Sequence, residues 1–329
     1  MLTSGSVSTV TQRLWGGAMC RLFGLTAGAE RVRATFWLLD APDSLVAQSR
    51  RNVDGSGIGF FDPSGAAVLD KQPEPAFRDE EFIHEAKQAE STTFVAHVRW
   101  ATAGGRETRN THPFVLGGRI MAHNGGFAEL SRLEHRLGSY RRLARGDTDS
   151  ERYFALITQQ IDSHDGDVGA GIAAAARWIG ANLPVTSLNT IVAAPGELWA
   201  LRYPGQHALH IIERPAGASV QAPPAGAGVQ APPAGVSVQA PPAGGGQVGD
   251  PPGLHVRSAT SSIHAPGLHR APSVVIASER LDGERGWRML ESGELVHVRP
   301  DLTVESAVVI PEPPVRLVEI TGDNPNVDT

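Results

Sequence analysis

The sequence has almost no cysteine and almost no lysine. A single cysteine in 329 residues, Cys20, excludes an internal disulfide framework and any zinc or iron–sulfur centre built on several thiolates. Only two of the 29 basic residues are lysine, Lys71 and Lys87, a bias that a GC-rich genome produces as readily as any function. No apolar run approaches the roughly 20 residues that span a bilayer. The balance of 29 Lys plus Arg against 35 Asp plus Glu, a net charge of -6, lacks the basic footprint of a nucleic-acid partner. The opening "MLTSGSVSTVTQRLWGGAMC" lacks the basic start and continuous apolar core of a secretory signal. Met19 is too large for the residue that precedes a lipoprotein cysteine. These absences leave a cytoplasmic globular protein, with 41% hydrophobic and 19% charged residues, as the expectation. Its length suits one large domain or two ordinary ones.

Residues 1–18 are rich in Ser, Thr and Gly without periodicity and read as a flexible leader or a misplaced start. From Cys20 onward the texture is that of a folded domain. Apolar spacing over 33–51, broken by Pro42, predicts two short helices or one kinked helix. "DGSGIGFFD" (54–62), "TTFVAHVRW" (92–100) and "GGRIMAHNG" (117–125) read as strands bounded by glycine. "TDSERYFALITQQI" opens a helix at 148, with Thr148 or Asp149 as cap and Glu151 three residues after Thr148. A second helix is expected over 171–183, then a meander of strands over 188–214 turning at Pro195-Gly196 and Pro204-Gly205. "VQAPPAG" then occurs three times between 220 and 244. A Pro/Ala/Gly repeat of this kind cannot bury enough surface to offset its ordering entropy, so 215–253 reads as an insertion in a loop. Strand texture resumes in "LHVRSATSS", "PSVVIASE" and "GELVHVRP", and the flanks look like halves of one interrupted hairpin. The expectation is a single domain over 20–329.

Four places can carry chemistry. Cys20 becomes the first residue if translation starts at Met19 or a leader is cut after it. A thiol beside its own terminal amine, whose ordinary pKa is about 7.7–8.0, is a nucleophile with a base built in. "AHNGG" (122–126) offers the Asn124 side-chain N–H and the Gly125 backbone N–H as two donors for a developing oxyanion, unless it is simply a hairpin turn. "AHVRWATAGG" puts Arg99 at a strand end, where its fork suits a carboxylate. "GDTDSE" puts Asp147, Asp149 and Glu151 at a helix start, where acids complement the dipole and one can also hold an ammonium.

In order, "MCRLFG", "HVRWATAGG…NTHPF", "AHNGG" and "GDTDSE" resemble the class II glutamine amidotransferases, N-terminal-nucleophile hydrolases that cleave the glutamine side-chain amide. "NVDGSGIGF" and "VVIASERLDGERGWRMLESGELVHV" resemble the stand-alone branch of that family, which includes the γ-glutamyl hydrolase of ergothioneine biosynthesis. The resemblance implies an α+β fold, a four-layer αββα sandwich of two antiparallel sheets between helices. It also implies Cys20 as nucleophile, Asn124 and Gly125 as oxyanion hole, Arg99 for the substrate carboxylate and Asp149 for its ammonium. Trp100 and Thr102 would shape the pocket and His112 would buttress its wall. The implied activity is hydrolysis of a γ-glutamyl amide, glutamine or a γ-glutamyl conjugate, through a cysteine thioester. No cofactor and no metal are implied. With no synthetase domain recognisable, ammonia would pass to a separate acceptor enzyme. Family members that make amino sugars often carry His where this chain has Ala103, which sets their acceptor chemistry apart.

Three other readings compete. His97, His112 and His123 could form a three-histidine metal site. "GSGIG" (55–59) could cradle a nucleotide, although no Lys-Ser/Thr follows it. The fold could also serve a non-catalytic binding protein in which Cys20 is never exposed as an N-terminus.

Overall fold

The structure, a computed structural model, describes residues 19–101, 104–217 and 271–319. The leader, the VQAPPAG repeats, "LHVRSATSS" and Thr102 lie outside the described residues. Among the described residues, fourteen strands follow in chain order: β1 (Arg21–Thr26), β2 (Ser56–Phe61), β3 (Ala67–Gln72), β4 (Thr93–Val98), β5 (Phe114–Leu116), β6 (Arg119–Phe127), β7 (Pro184–Ala194), β8 (Glu197–Leu201), β9 (His210–Arg214), β10 (Ser273–Ala277), β11 (Arg288–Met289), β12 (Glu294–Val298), β13 (Val304–Val308) and β14 (Arg316–Leu317). The α-helices are α1 (Leu45–Gln48), α2 (Glu80–Gln88), α3 (Leu130–Leu137), α4 (Asp149–Ser163) and α5 (Val168–Asn182).

The strands form two sheets. The first runs β11-β9-β10-β1-β4-β2-β3 and is antiparallel throughout. The second runs β13-β12-β8-β7-β6-β5, antiparallel, with β14 added parallel to the start of β7. Alternation along each strand sends side chains to opposite faces, so each sheet buries both. Leu22, Val95, Ile120, Ile191, Leu198 and Ile276 fill the space between the sheets. Phe23, Phe94, Ile58, Trp37 and Phe82 form a second core on the outer face of the first sheet, under α1, α2 and a π-helical turn at Phe36–Asp40. Met121, Leu188, Tyr153, Phe154 and Ile179 form a third core under α3, α4 and α5. The layers are therefore helix, sheet, sheet, helix, the sandwich expected.

Local chemistry sets the element ends. Pro42 separates the π-helical turn from α1, as its ring and missing N–H require. Thr148 caps α4 by accepting the Glu151 N–H at 3.3 Å. The Glu151 carboxylate reaches back to the Gly146 and Arg145 N–H groups at 2.6 and 3.2 Å, tying the preceding loop to the helix. The 188–214 meander is real only as far as the β7–β8 hairpin. After the turn at Pro204-Gly205 the chain crosses to the other sheet, where β9 pairs with β10 from Arg214↔Ser273 to His210↔Ala277. Residues 215–272 thus depart and return between adjacent strands. "GSGIG" lies within and beside β2 rather than in a loop before a helix, which removes the nucleotide reading. Its Gly57 permits a close approach: a Cβ there would stand 2.2 Å from the His112 carbonyl oxygen.

Candidate active site

β1 and β4 are neighbours, and Arg21 pairs with Val98, so Cys20 and Arg99 emerge side by side at one end of the first sheet. The Cys20 thiol is held by backbone on both sides: it donates to the Trp100 carbonyl at 3.4 Å and accepts from the Trp100 N–H at 3.3 Å. Burial raises the thiol pKa, and the Trp100 N–H, Arg99 and Arg21 oppose that rise. The Met19 carbonyl accepts from Arg21 at 2.7 Å and from the Asn52 amide. Arg21 is itself paired with Glu279.

A small cavity opens against Cys20. It is lined by Arg99, Trp100, His112, Gly125 and Asp149 and also by His123, Thr148 and Ser150. Six residues expected from sequence thus share one cavity. Thr102 is not described. Asn124 is buried but is not among the cavity-lining residues. It precedes Gly125 on β6, and alternation turns its side chain toward the space between sheets, where Nδ2 lies 3.5 Å from the Ser278 hydroxyl. Ser278 also accepts the Leu22 N–H at 2.9 Å, close to Cys20 in the chain. Asn124-Gly125 is not a hairpin turn. It lies inside β6 opposite Asn189 and Leu188 of β7. Gly125 has φ +150°, and a Cβ would fall 1.9 Å from the Ser187 carbonyl oxygen, so backbone conformation and contact both demand glycine.

The charged groups are fastened by their surroundings. The Arg99 guanidinium donates to the Gly105 and Gly104 carbonyls at 3.1 and 3.3 Å. Asp54, from "NVDGSG", accepts the Ala101 N–H at 2.8 Å and pairs with Arg106, pinning both ends of the segment between them. The Asp149 carboxylate accepts the Phe127 N–H at 3.2 Å and the Ser150 N–H at 2.9 Å. Asn110 joins the two regions: its Nδ2 donates to the Gly105 carbonyl at 3.3 Å, and its Oδ1 accepts the Asp147 N–H at 2.9 Å.

The histidines do not form the metal site considered from sequence. Among the described residues no group of three or more His, Cys, Asp or Glu is arranged to hold a metal ion. The His97 and His112 rings pack against each other with centroids 4.2 Å apart. His123 is committed at both nitrogens. Nε2 lies 3.2 Å from the Ser187 carbonyl, which only accepts, so Nε2 carries the proton and Nδ1 accepts from the Ser150 hydroxyl at 3.0 Å. Burial lowers its pKa and keeps it neutral. Burial likewise pushes His97 down to about 3 and holds His112 well below its ordinary value. Neither ring nitrogen of His112 finds a partner among the described residues.

Comparison with known proteins decides the family. The sequence profile of the "Glutamine amidotransferases class-II" matches residues 19–218, more than half of the chain, starting one residue before Cys20. The chain belongs to the class II glutamine amidotransferases. Within this family it is 28% identical over 179 residues to the probable glutamine amidotransferase DUG3 of Saccharomyces cerevisiae, covering 46% of this chain and 50% of that protein. It is 32% identical over 131 residues to the putative glutamine amidotransferase YafJ of Escherichia coli, covering 38% of this chain and 49% of that one. The matches thus span about half the length of these curated relatives. A glutamine aminotransferase class-II domain protein from Silicibacter pomeroyi shares the fold at TM-score 0.51 and 15% identity, covering 89% of this chain and 100% of that one. The glutamine phosphoribosylpyrophosphate amidotransferase of B. subtilis does so at TM-score 0.53 and 15% identity, covering 89% and 50%.

Sequence reasoning missed Asn52, Asp54, Asn110, Ser150 and Ser278, and considered His123 only as a metal ligand. Asp54 stands in "NVDGSGIGF", next to the glycines that dominate that stretch. Asn110 stands in "NTHPF" two residues before His112.

Proposed function

We propose that this amidotransferase-family chain hydrolyses a γ-glutamyl amide, glutamine or a γ-glutamyl conjugate, with Cys20 as nucleophile. The observation that carries the reading is the gathering of a cysteine, a buried arginine, a buried aspartate and a strand-borne Gly125 around one cavity. An α-amino acid presents a carboxylate and an ammonium, and Arg99 and Asp149 are the complementary pair. In the present arrangement Arg99 spends its fork on two backbone carbonyls. Substrate binding exchanges those for the α-carboxylate, a stronger charge-assisted bond.

Burial disfavours the Cys20 thiolate, so attack needs a base. The hydrogen-bond partners of Sγ are backbone groups, and His123 is already engaged at both nitrogens. The α-amine of a chain beginning at Cys20 supplies the base, with a pKa of about 7.7–8.0. It would stand where the Met19–Cys20 peptide now does, beside Asn52 and Arg21. Sγ attacks the γ-carbonyl, and the oxyanion is held by the Gly125 N–H and by the Asn124 N–H not turned to Ser278. The amine leaves with a proton, and water then hydrolyses the thioester. Ammonia, where that is the amine, goes to a separate acceptor enzyme or to solvent. Trp100 and Thr102 shape the pocket, and His112, with both nitrogens unspent, faces the substrate from the wall.

A second reading is favoured by one observation: two donors hold the Met19 carbonyl, as in a chain where Met19 stays attached. The fold would then bind a ligand without cleaving it. Protein beginning at Cys20, its mass confirming the N-terminus, should release glutamate from at least one of a panel of γ-glutamyl amides. Cys20→Ala should abolish release. Cleavage by Cys20→Ala, or by protein that retains Met1, overturns the mechanism; no cleavage of any compound leaves the binding reading.

A further inference from the structure

Beyond the Cys20 cavity the described residues hold a larger one, of about 580 Å³. It has an apolar floor that includes Phe114, Leu116, Leu143 and Phe154. Its charged lining is mostly cationic: Lys71, Arg109, Arg142 and Arg145. The one acid among the lining residues, Glu151, is buried and already accepts two backbone N–H groups. Arg109 is neutralised by Glu107 and Asp147 at 2.6 and 3.0 Å. The side chains of Arg142 and Arg145 have no ion pair or hydrogen bond among the described residues. Lys71 is different again: its ammonium donates to the Thr111 and Pro113 carbonyls at 2.7 and 3.2 Å and stands 4.6 Å above the Phe114 ring.

A neighbouring hollow of about 530 Å³ shares Leu116, Arg142 and Leu143 and adds Arg119 and Asp162, whose carboxylate accepts from the Tyr140 hydroxyl at 2.7 Å. Arg142 therefore stands where the two meet. In a chain of net charge -6, this concentration of cations around a concave apolar surface runs against the overall balance. Like charges at such a rim repel one another, and a bound anion removes that cost. A concave, partly apolar wall also focuses the field on whatever enters.

We propose that this cavity binds a small organic anion, an apolar body bearing a carboxylate or a phosphate. The apolar body lies on Phe114, Leu116 and Leu143, and the anionic group meets Arg142 and Arg145, whose forks suit both oxyanions. The two anion types share this chemistry. The cavity adjoins the Cys20 site through the segment His112–Phe114, with His112 on one side and Phe114 on the other and ring centroids 4.6 Å apart. The proposal nevertheless stands apart from the reaction proposed above, because none of its lining residues lines the Cys20 cavity.

The test is isothermal titration of phenyl phosphate, benzoate and uncharged benzyl alcohol into the full chain and into Arg142→Gln/Arg145→Gln. At least one anion should bind saturably and the alcohol should not. Which anion binds more tightly identifies the oxyanion. Loss of two charge-assisted contacts should weaken binding by about tenfold or more. The exchanged side chains are exposed and, among the described residues, unpaired, so an unchanged thermal unfolding curve confirms a folded variant. No saturable binding by either anion, equal binding of benzyl alcohol, an unchanged affinity in the folded variant, or displacement by glutamate would each overturn the proposal. Displacement by glutamate would place the anion in the Cys20 cavity instead.

Discussion

Replacing Gly125 with alanine tests whether the backbone of β6 at the site is as tightly held as it looks. The new Cβ would stand 1.9 Å from the Ser187 carbonyl oxygen, whereas ordinary contact begins near 3.4 Å. One of the two strands must therefore yield by about 1.5 Å, the difference between those distances. The obstacle is backbone in the middle of a seven-stranded sheet, not the flexible end of a side chain. The φ of +150° adds a conformational cost of about 1 kcal/mol for any residue with a Cβ. Moving the Ser187 carbonyl also disturbs its bond from His123, worth about another 1 kcal/mol. With overpacking included, the loss should be about 3–5 kcal/mol. In a chain of this size that corresponds to a melting temperature lower by about 6–20 °C. Gly118→Ala is the control. Gly118 also has positive φ, +73°, but nothing lies within 4 Å of its hypothetical Cβ. It should cost only the conformational term, about 1 kcal/mol or 2–4 °C. Scanning calorimetry of both variants decides the matter. If Gly125→Ala melts no lower than Gly118→Ala, the close approach of β6 and β7 is not a constraint.

Two further outcomes follow, one at the site and one across the fold. Asp54→Asn keeps the shape but loses the pairing with Arg106 and weakens acceptance from Ala101, so the segment carrying Gly104 and Gly105 loosens around Arg99. The KM for the cleaved amide should rise by about tenfold with a smaller change in kcat; a fall in kcat at constant KM would contradict this. Stability should fall as pH drops through the range below about 6.5. His207 and His97, held down to about 4 and about 3, and His112 and His123, also lowered, stay neutral in the fold but take protons when unfolded. Asp43 and Asp70, each raised to about 6, pull the other way over part of that range because they hold protons in the fold. His207→Gln should therefore reduce the slope of unfolding free energy between about pH 4 and 6.5 by close to one proton, about 1.4 kcal/mol per pH unit. An unchanged slope in urea titrations would mean His207 is not buried neutral.

The residues legible from sequence are those whose local setting already constrained them. Cys20 precedes β1, Arg99 follows β4, and Asp149 opens α4 behind a capping threonine. Each sits at an element end that periodicity and capping place. Asn124-Gly125 was legible as a pair of donors but not as a position: "NG" is also a turn signal, and only pairing with β7 fixes it inside a strand. What stayed hidden depends on contacts between distant parts of the chain. Ser278 reaches Asn124 across 154 residues, and Asn52 reaches Met19 across 33. Ser150 looked like an ordinary first-turn residue, and its bond to His123 exists only because α4 packs on β6. The crossing of β9 into the other sheet escaped for the same reason. A turn at Pro204-Gly205 suits a hairpin and a crossover equally, and partner choice is set by the sheet that receives the strand.

Asn110 carries a consequence for how the substrate range of such a protein can drift. One buried amide holds the segment around Arg99 with one end and the segment leading to Asp149 with the other. If these segments read the carboxylate and the ammonium of an amino acid, their tolerances are not separately adjustable. A change that slackens one grip displaces the anchor of the other. Selection can therefore abandon the amino-acid head group altogether or keep it whole, but has no gradual path through molecules that carry half of it. Diversification is left to the opposite end of the ligand, past the bond that is cut.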